Sequence, residues 1–144
     1  MPSNILISTP FLRLALLGDA AASGATGLLL ATAAGPLAGL LGLPEPLLRV
    51  AGLVLLPCAA FVAWAGTRAA PPHPAVRAII AINLLWVADS VLLVLLGPSL
   101  AGLKLTAFGV AFVLAQAAVV LSFALAQWIA LRRAGSADAP PAFA

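Results

Sequence analysis

Charge is what this chain has least of. Lys and Arg number 7 and Asp and Glu 4 among 144 residues, 8% in all, where a water-soluble domain carries about a quarter. Too few charges are present to coat a globule. The hydrophobic 64% fall in four long blocks, which is how a bilayer is crossed. The basic residues are scattered and not interleaved with aromatics, which argues against a nucleic-acid partner. Cys58 is the single cysteine, so no intramolecular disulfide and no thiol relay can form, and within an apolar stretch it reads as a small packing residue. His73 is the single histidine and sits in Pro71-Pro72-His73-Pro74. Bis-His haem ligation within the chain is thereby impossible, and no cluster of metal ligands stands out. No cofactor and no metal are expected.

What is present is length of apolar run. A spanning helix needs about 20 mostly apolar residues, and four segments qualify, at about 11–34, 46–67, 75–97 and 105–131. The first has no basic residue before Arg13 and is interrupted by Asp19, which favours a membrane helix over a cleaved leader. It is expected to stop at Gly35-Pro36. The second opens with Pro46, suited to a first helical turn, and carries Pro57 as an expected kink. The third follows Pro74 and is expected to end at Gly97-Pro98. The fold class implied is an all-α membrane protein, a four transmembrane helix bundle over residues 1–134, with a Pro/Ala-rich disordered tail at 135–144. Arg13, Arg68, Arg77, Arg132 and Arg133 fall on one side and Arg49 and Lys104 on the other. By the positive-inside rule this puts both termini in the cytoplasm, as a multi-pass protein of a bacterial cytoplasmic membrane.

Polar side chains within the spans carry the remaining information, because each is costly in hydrocarbon without a partner. Asp19, Ser23 and Thr26 lie within about 60° of one another on the first helix. Asn83, Trp86 and Ser90 share an arc of the third, with Asp89 on its flank. Gln116 and Gln127 share a face of the fourth. At about 1.5 Å per residue, Asp19 and Asn83 lie roughly 10 to 12 Å in, and Asp89, Ser23, Thr26 and Gln116 about 18 to 22 Å in. Two layers are expected: Asp19 with Asn83, then Asp89 with Ser23, Thr26 and Gln116. Without a basic partner at that depth, a protonated Asp19 is expected to donate to the Asn83 carbonyl. The second span has no such stripe and is expected to be the most peripheral. Trp64 and Trp128 lie near helix ends, as interfacial anchors do.

Gly27, Ala31, Gly35 and Gly39 recur at intervals of four, a spacing that lets backbones approach, within the bundle or between copies. Gly35-Pro36-Leu37-Ala38-Gly39-Leu40 and Gly97-Pro98-Ser99-Leu100-Ala101-Gly102-Leu103 look alike. An ancient two-helix duplication would give this likeness, but so would simple Gly/Leu/Ala usage, and the spacing upstream of the two segments does not match, which favours the latter. Leu17-Gly18-Asp19-Ala20, Gly27, Leu41-Gly42-Leu43-Pro44 and the run from Asn83 to Ser90, with its Asn-x-x-Trp-x-x-Asp-Ser spacing, resemble an uncharacterised family of small bacterial four-helix integral membrane proteins. That resemblance implies the fold and no activity.

Catalysis is the least supported function: no nucleophile–base pair, metal cluster or phosphate loop is present. Two readings remain for the intramembrane polar set of Asp19, Ser23, Thr26, Asn83, Trp86, Asp89, Ser90 and Gln116. It either locks helix registry in an accessory or structural subunit of a membrane assembly, or lines a pocket for a proton or small solute in an oligomeric transporter. The expected partners are the lipid bilayer and either further copies of the chain or a larger membrane complex.

Overall fold

Proline and threonine set most of the helix starts in the computed structural model, which describes residues 9–137. α1 (Pro10–Thr32) has Thr9 as its cap, the Oγ1 accepting from the Leu12 amide at 3.2 Å, with Pro10 in the first turn. Pro36 has no N–H to give the Thr32 carbonyl, and the chain bends at Ala33 (φ −110°, ψ 22°) into a short α2 (Ala34–Leu41). The chain beyond the expected stop at Gly35-Pro36 is therefore helical. α2 ends on Gly42 at φ 68°, whose N–H bonds the Ala38 carbonyl. That left-handed conformation favours glycine.

α3 (Glu45–Thr67) and α4 (His73–Leu100) each begin behind a proline cap with a second proline in the first turn. Pro57 is accommodated inside α3. Pro98 does not stop α4, which runs to Leu100, because a proline two residues from the end removes only one backbone bond. The connection from Ala101 to Thr106 carries no helix, so the two look-alike segments fold differently. α5 (Ala107–Ala137) begins two residues later than expected and extends six residues past Leu131. Residues 135–137 are therefore helical, and the rest of the expected tail lies outside the described residues.

All elements among the described residues are helices, and α1, α3, α4 and α5 are each long and apolar enough to cross a membrane. Arg133 lies 5.8 Å over the Phe11 ring, so the start of α1 and the end of α5 share one end of the bundle; this is called the terminal end below. There, Leu12, Leu16, Val62, Ala65, Val76, Ile79 and Ala130 join all four long helices in one core. At the opposite end Leu30, Ala34, Leu41, Leu48, Leu55 and Val113 form a second core, to which α4 adds only partly buried residues such as Trp86 and Leu93.

Around the bundle the order is α3, α1, α5, α4. α3 packs along α1, α4 along α5, and α3 scarcely touches α4. The expected peripheral second span is thus open on one flank, yet it is the main neighbour of α1. Between α3 and α4 the bundle opens into a groove. The exterior is apolar: Leu14, Leu53, Leu85, Leu95 and Leu100 are each more than half exposed. A surface of that kind suits hydrocarbon as solvent.

Candidate functional site

The Asp19 carboxyl group is fully buried, as is Gln127, a little inside the terminal-end core. α1 brings Ser23 one turn away, α4 brings Asn83 and α5 brings Gln127. Asn83 Nδ2 and Gln127 Nε2 each donate to Oδ2 at 2.7 Å, and Ser23 Oγ donates to Oδ1 at 3.1 Å. Asn83 Nδ2 also lies 3.3 Å from Gln127 Oε1, which closes the ring. The expected Asp19–Asn83 pairing is present, but its direction is reversed: Asp19 accepts and the amides donate. Three donors converge on the two Asp19 oxygens, so the side chain is satisfied by neutral partners. Gln127, buried and integral to the knot, is the member the sequence reading did not place in the site.

The second layer is smaller than expected. Gln116 Nε2 donates to Thr26 Oγ1 at 2.6 Å, joining α5 to α1. Ser23 belongs with Asp19 instead, and Ser90 Oγ turns back to the Trp86 carbonyl at 2.8 Å. Asp89 joins neither layer. It is exposed on the bundle flank and makes no hydrogen bond or ion pair with any described residue. The physical reason is rotation: at 100° per residue Asp89 stands about 120° from Asn83. Equal depth did not bring it to the bundle axis.

Asp89 instead faces the groove between α3 and α4. Two spaces there share Trp86 and Asp89. One, of about 350 Å³, is lined by Leu30, Leu47, Phe112, Ser90 and Gln116 among others. A smaller one of about 180 Å³ reaches back to Ser23, Cys58 and Asn83. The walls are mainly apolar, with Asp89, Ser90, Gln116 and the indole as the polar points. Trp86 Nε1 is buried and has no acceptor among the described residues, an uncompensated donor that costs about 1 to 3 kcal/mol.

At the opposite end Glu45 and Arg49 form an ion pair on α3, and Arg49 also reaches the Ala31 carbonyl. Among the described residues no group of three or more His, Cys, Asp or Glu side chains could hold a metal ion. At the terminal end Arg68 lies 4.9 Å over Trp64 and Arg132 4.6 Å over Trp128. An indole with a cation four residues further on is a fitting arrangement for a water–lipid boundary.

The fold and site define a four-helix bundle with an apolar exterior, a closed polar knot and an open lateral groove. No protein-family model, curated protein or solved structure matches the chain.

Proposed function

We propose that this chain is a multi-pass protein of the bacterial cytoplasmic membrane, both termini cytoplasmic, acting as an accessory or structural subunit of a membrane assembly. The observation that carries the reading is the contrast between its two intramembrane carboxylates. Asp19 is buried with three donors, as a registry lock requires, whereas Asp89 is exposed and has no partner among the described residues. Asp89 lies nine residues beyond Ile80, the α4 residue that lines a cavity with the boundary residue Trp128. That distance is about 13 Å, close to half of a hydrocarbon core of about 30 Å. A carboxylate facing acyl chains at that depth is costly, so a covering group that supplies donors stabilises this face. Along this groove α3 and α4 scarcely touch, which leaves a face of each without a helix neighbour. A transmembrane helix of another polypeptide, carrying a basic or amide side chain opposite Asp89, fits that charge and shape.

The test is site-specific photocrosslinking in cells from Leu85, beside the groove, with Leu14 as an exposed control position. A discrete adduct from Leu85 that disappears with Asp89→Leu supports the subunit reading. An adduct of twice the chain mass identifies the neighbour as a second copy. Crosslinks to lipid alone from both positions overturn it.

A second reading is favoured by the unpartnered Trp86 indole N–H at the cavity wall: sideways entry of a small polar or amphiphilic solute, with Asp89 and Gln116 as its polar contacts, in an oligomeric transporter. Solute or proton flux in proteoliposomes that is lost with Asp89→Asn, with assembly unchanged, would favour that reading over the first.

A further inference from the structure

We infer that the terminal end of the α4–α5 seam binds an anionic phospholipid, phosphate outward and one acyl chain lying along the seam. A cavity of about 360 Å³ lies between the start of α4 and the last turns of α5, lined by His73, Arg77, Ile80, Trp128, Leu131 and Arg132. The charges it presents are all basic. Arg77 and His73 make no hydrogen bond or ion pair with a described residue. Arg132 is held against one wall by its stack on Trp128. The described carboxylates are elsewhere: Asp19 is inside the polar knot, Glu45 is paired with Arg49, and Asp89 lies in the α3–α4 groove.

The basic cavity continues into an apolar one. A second space of about 230 Å³, lined by Ile80, Leu84, Ala124, Leu125 and Trp128, shares Ile80 and Trp128 with the first. On α4 the succession Arg77, Ile80, Leu84 keeps one face at spacings of three and four. On α5 Arg132, Trp128 and Leu125 do the same in the opposite direction. The path therefore changes from cationic to wholly apolar over seven residues of α4, about 10 Å. That is the polarity profile of a phospholipid from its phosphate to its first methylenes. A free phosphate matches the head of the path and leaves its apolar limb unfilled. Among the described residues a zwitterionic lipid finds no carboxylate here for its cationic group. Basic pockets between membrane helices are suited to anionic headgroups for the same electrostatic reason.

The test uses the full chain in detergent, titrated with phosphatidylglycerol or with phosphatidylcholine of the same acyl chains and read by native mass spectrometry. Wild type is expected to retain phosphatidylglycerol about tenfold better. The double variant Arg77→Gln/Arg132→Gln is expected to bring the two lipids to parity, as loss of two surface cations should. Leu84→Trp, which fills the apolar limb, is expected to lower phosphatidylglycerol retention several-fold with both arginines intact. Equal retention of the two lipids by wild type overturns the inference. So does a double variant that keeps the wild-type preference. Displacement of phosphatidylglycerol by millimolar inorganic phosphate, together with an inert Leu84→Trp, assigns the cavity to a free anion instead. The wild-type comparison and Leu84→Trp remain decisive should the arginine variant fail to fold.

Discussion

Gly52 on α3 and Gly27 on α1 meet backbone to backbone. A Cβ added at Gly52 would lie 2.7 Å from the Gly27 carbonyl oxygen and 2.5 Å from the Ala31 amide nitrogen. The small-residue spacing on α1 thus serves packing inside the bundle, at Gly27 and Ala31. Gly39, in the same series, has nothing within 4 Å of an added Cβ.

Gly52→Ala and Gly39→Ala should therefore separate. Helix propensity alone favours alanine by about 1 kcal/mol at either site. At Gly52 the obstacles are backbone atoms that cannot rotate away, so α1 and α3 must part, and a net loss of about 1 to 3 kcal/mol is expected. Reversible unfolding of the purified protein in mixed micelles provides the measurement. Gly39→Ala should leave the midpoint unchanged or raise it. Equal midpoints for the two variants would mean that the close crossing contributes nothing.

The Asp19 knot carries a sharper expectation. Asp19→Ala strands the Asn83 and Gln127 amides in a buried site without their shared acceptor. With interhelical bonds in membranes contributing about 0.6 to 2 kcal/mol each, a loss of about 2 to 4 kcal/mol is expected. A double-mutant cycle of Asp19→Ala with Gln127→Leu should give a coupling of about 1 kcal/mol. Asp89→Asn should leave the same unfolding midpoint untouched. A coupling of zero would show that Gln127 is a bystander.

Why Gln127 escaped the sequence reading while Asn83 did not is a matter of helix ends. In the sequence a residue's depth is counted from the expected end of its span, and α5 runs six residues past Leu131. Measured from its actual end, Gln127 lies ten residues in, as Asn83 lies ten from His73 and Asp19 nine from Pro10. All three are then about 14 to 15 Å from the terminal ends of their helices, at one level of the bundle. The four long helices were legible because hydropathy and length determine them directly. Asp89 was not, since depth fixes a residue's level and leaves its azimuth open. Only the packing of α4 on α5, with α3 held away, decides that Asp89 stands at an open flank. The bend into α2 had its signal in Gly35-Pro36, but a proline announces where one helix stops and not whether another begins.

The connection opposite the terminal end is held by one threonine. Thr106 Oγ1 donates to the Leu40 carbonyl at 2.7 Å and accepts from the Gly109 amide at 2.9 Å, while the Thr106 amide bonds the Leu41 carbonyl at 3.1 Å. Thr106→Val keeps the shape and the last of these bonds but removes both hydroxyl bonds, with an expected cost of about 1 to 2 kcal/mol. Hydrogen exchange should quicken at the first turn of α5 and at the end of α2, and stay slow around Asp19. Uniform acceleration along the chain would contradict a local role.

Trp86 offers a test that divides packing from binding. Its indole N–H is buried without an acceptor among the described residues, so Trp86→Phe removes an uncompensated donor while keeping most of the ring. Relief of about 1 to 3 kcal/mol is opposed by the smaller apolar area, and the unfolding midpoint should shift by less than about 1 kcal/mol in either direction. Trp86→Ala, by contrast, enlarges a space that is already open and should cost about 3 to 5 kcal/mol. The informative case is a Trp86→Phe protein that is fully stable and yet captures its groove neighbour less well from Leu85. That outcome would assign the indole N–H to whatever occupies the α3–α4 groove, since a donor left idle by the fold but needed for capture has its acceptor on the occupant. Unchanged capture would leave Trp86 as a wall of the groove and put the whole polar contribution on Asp89.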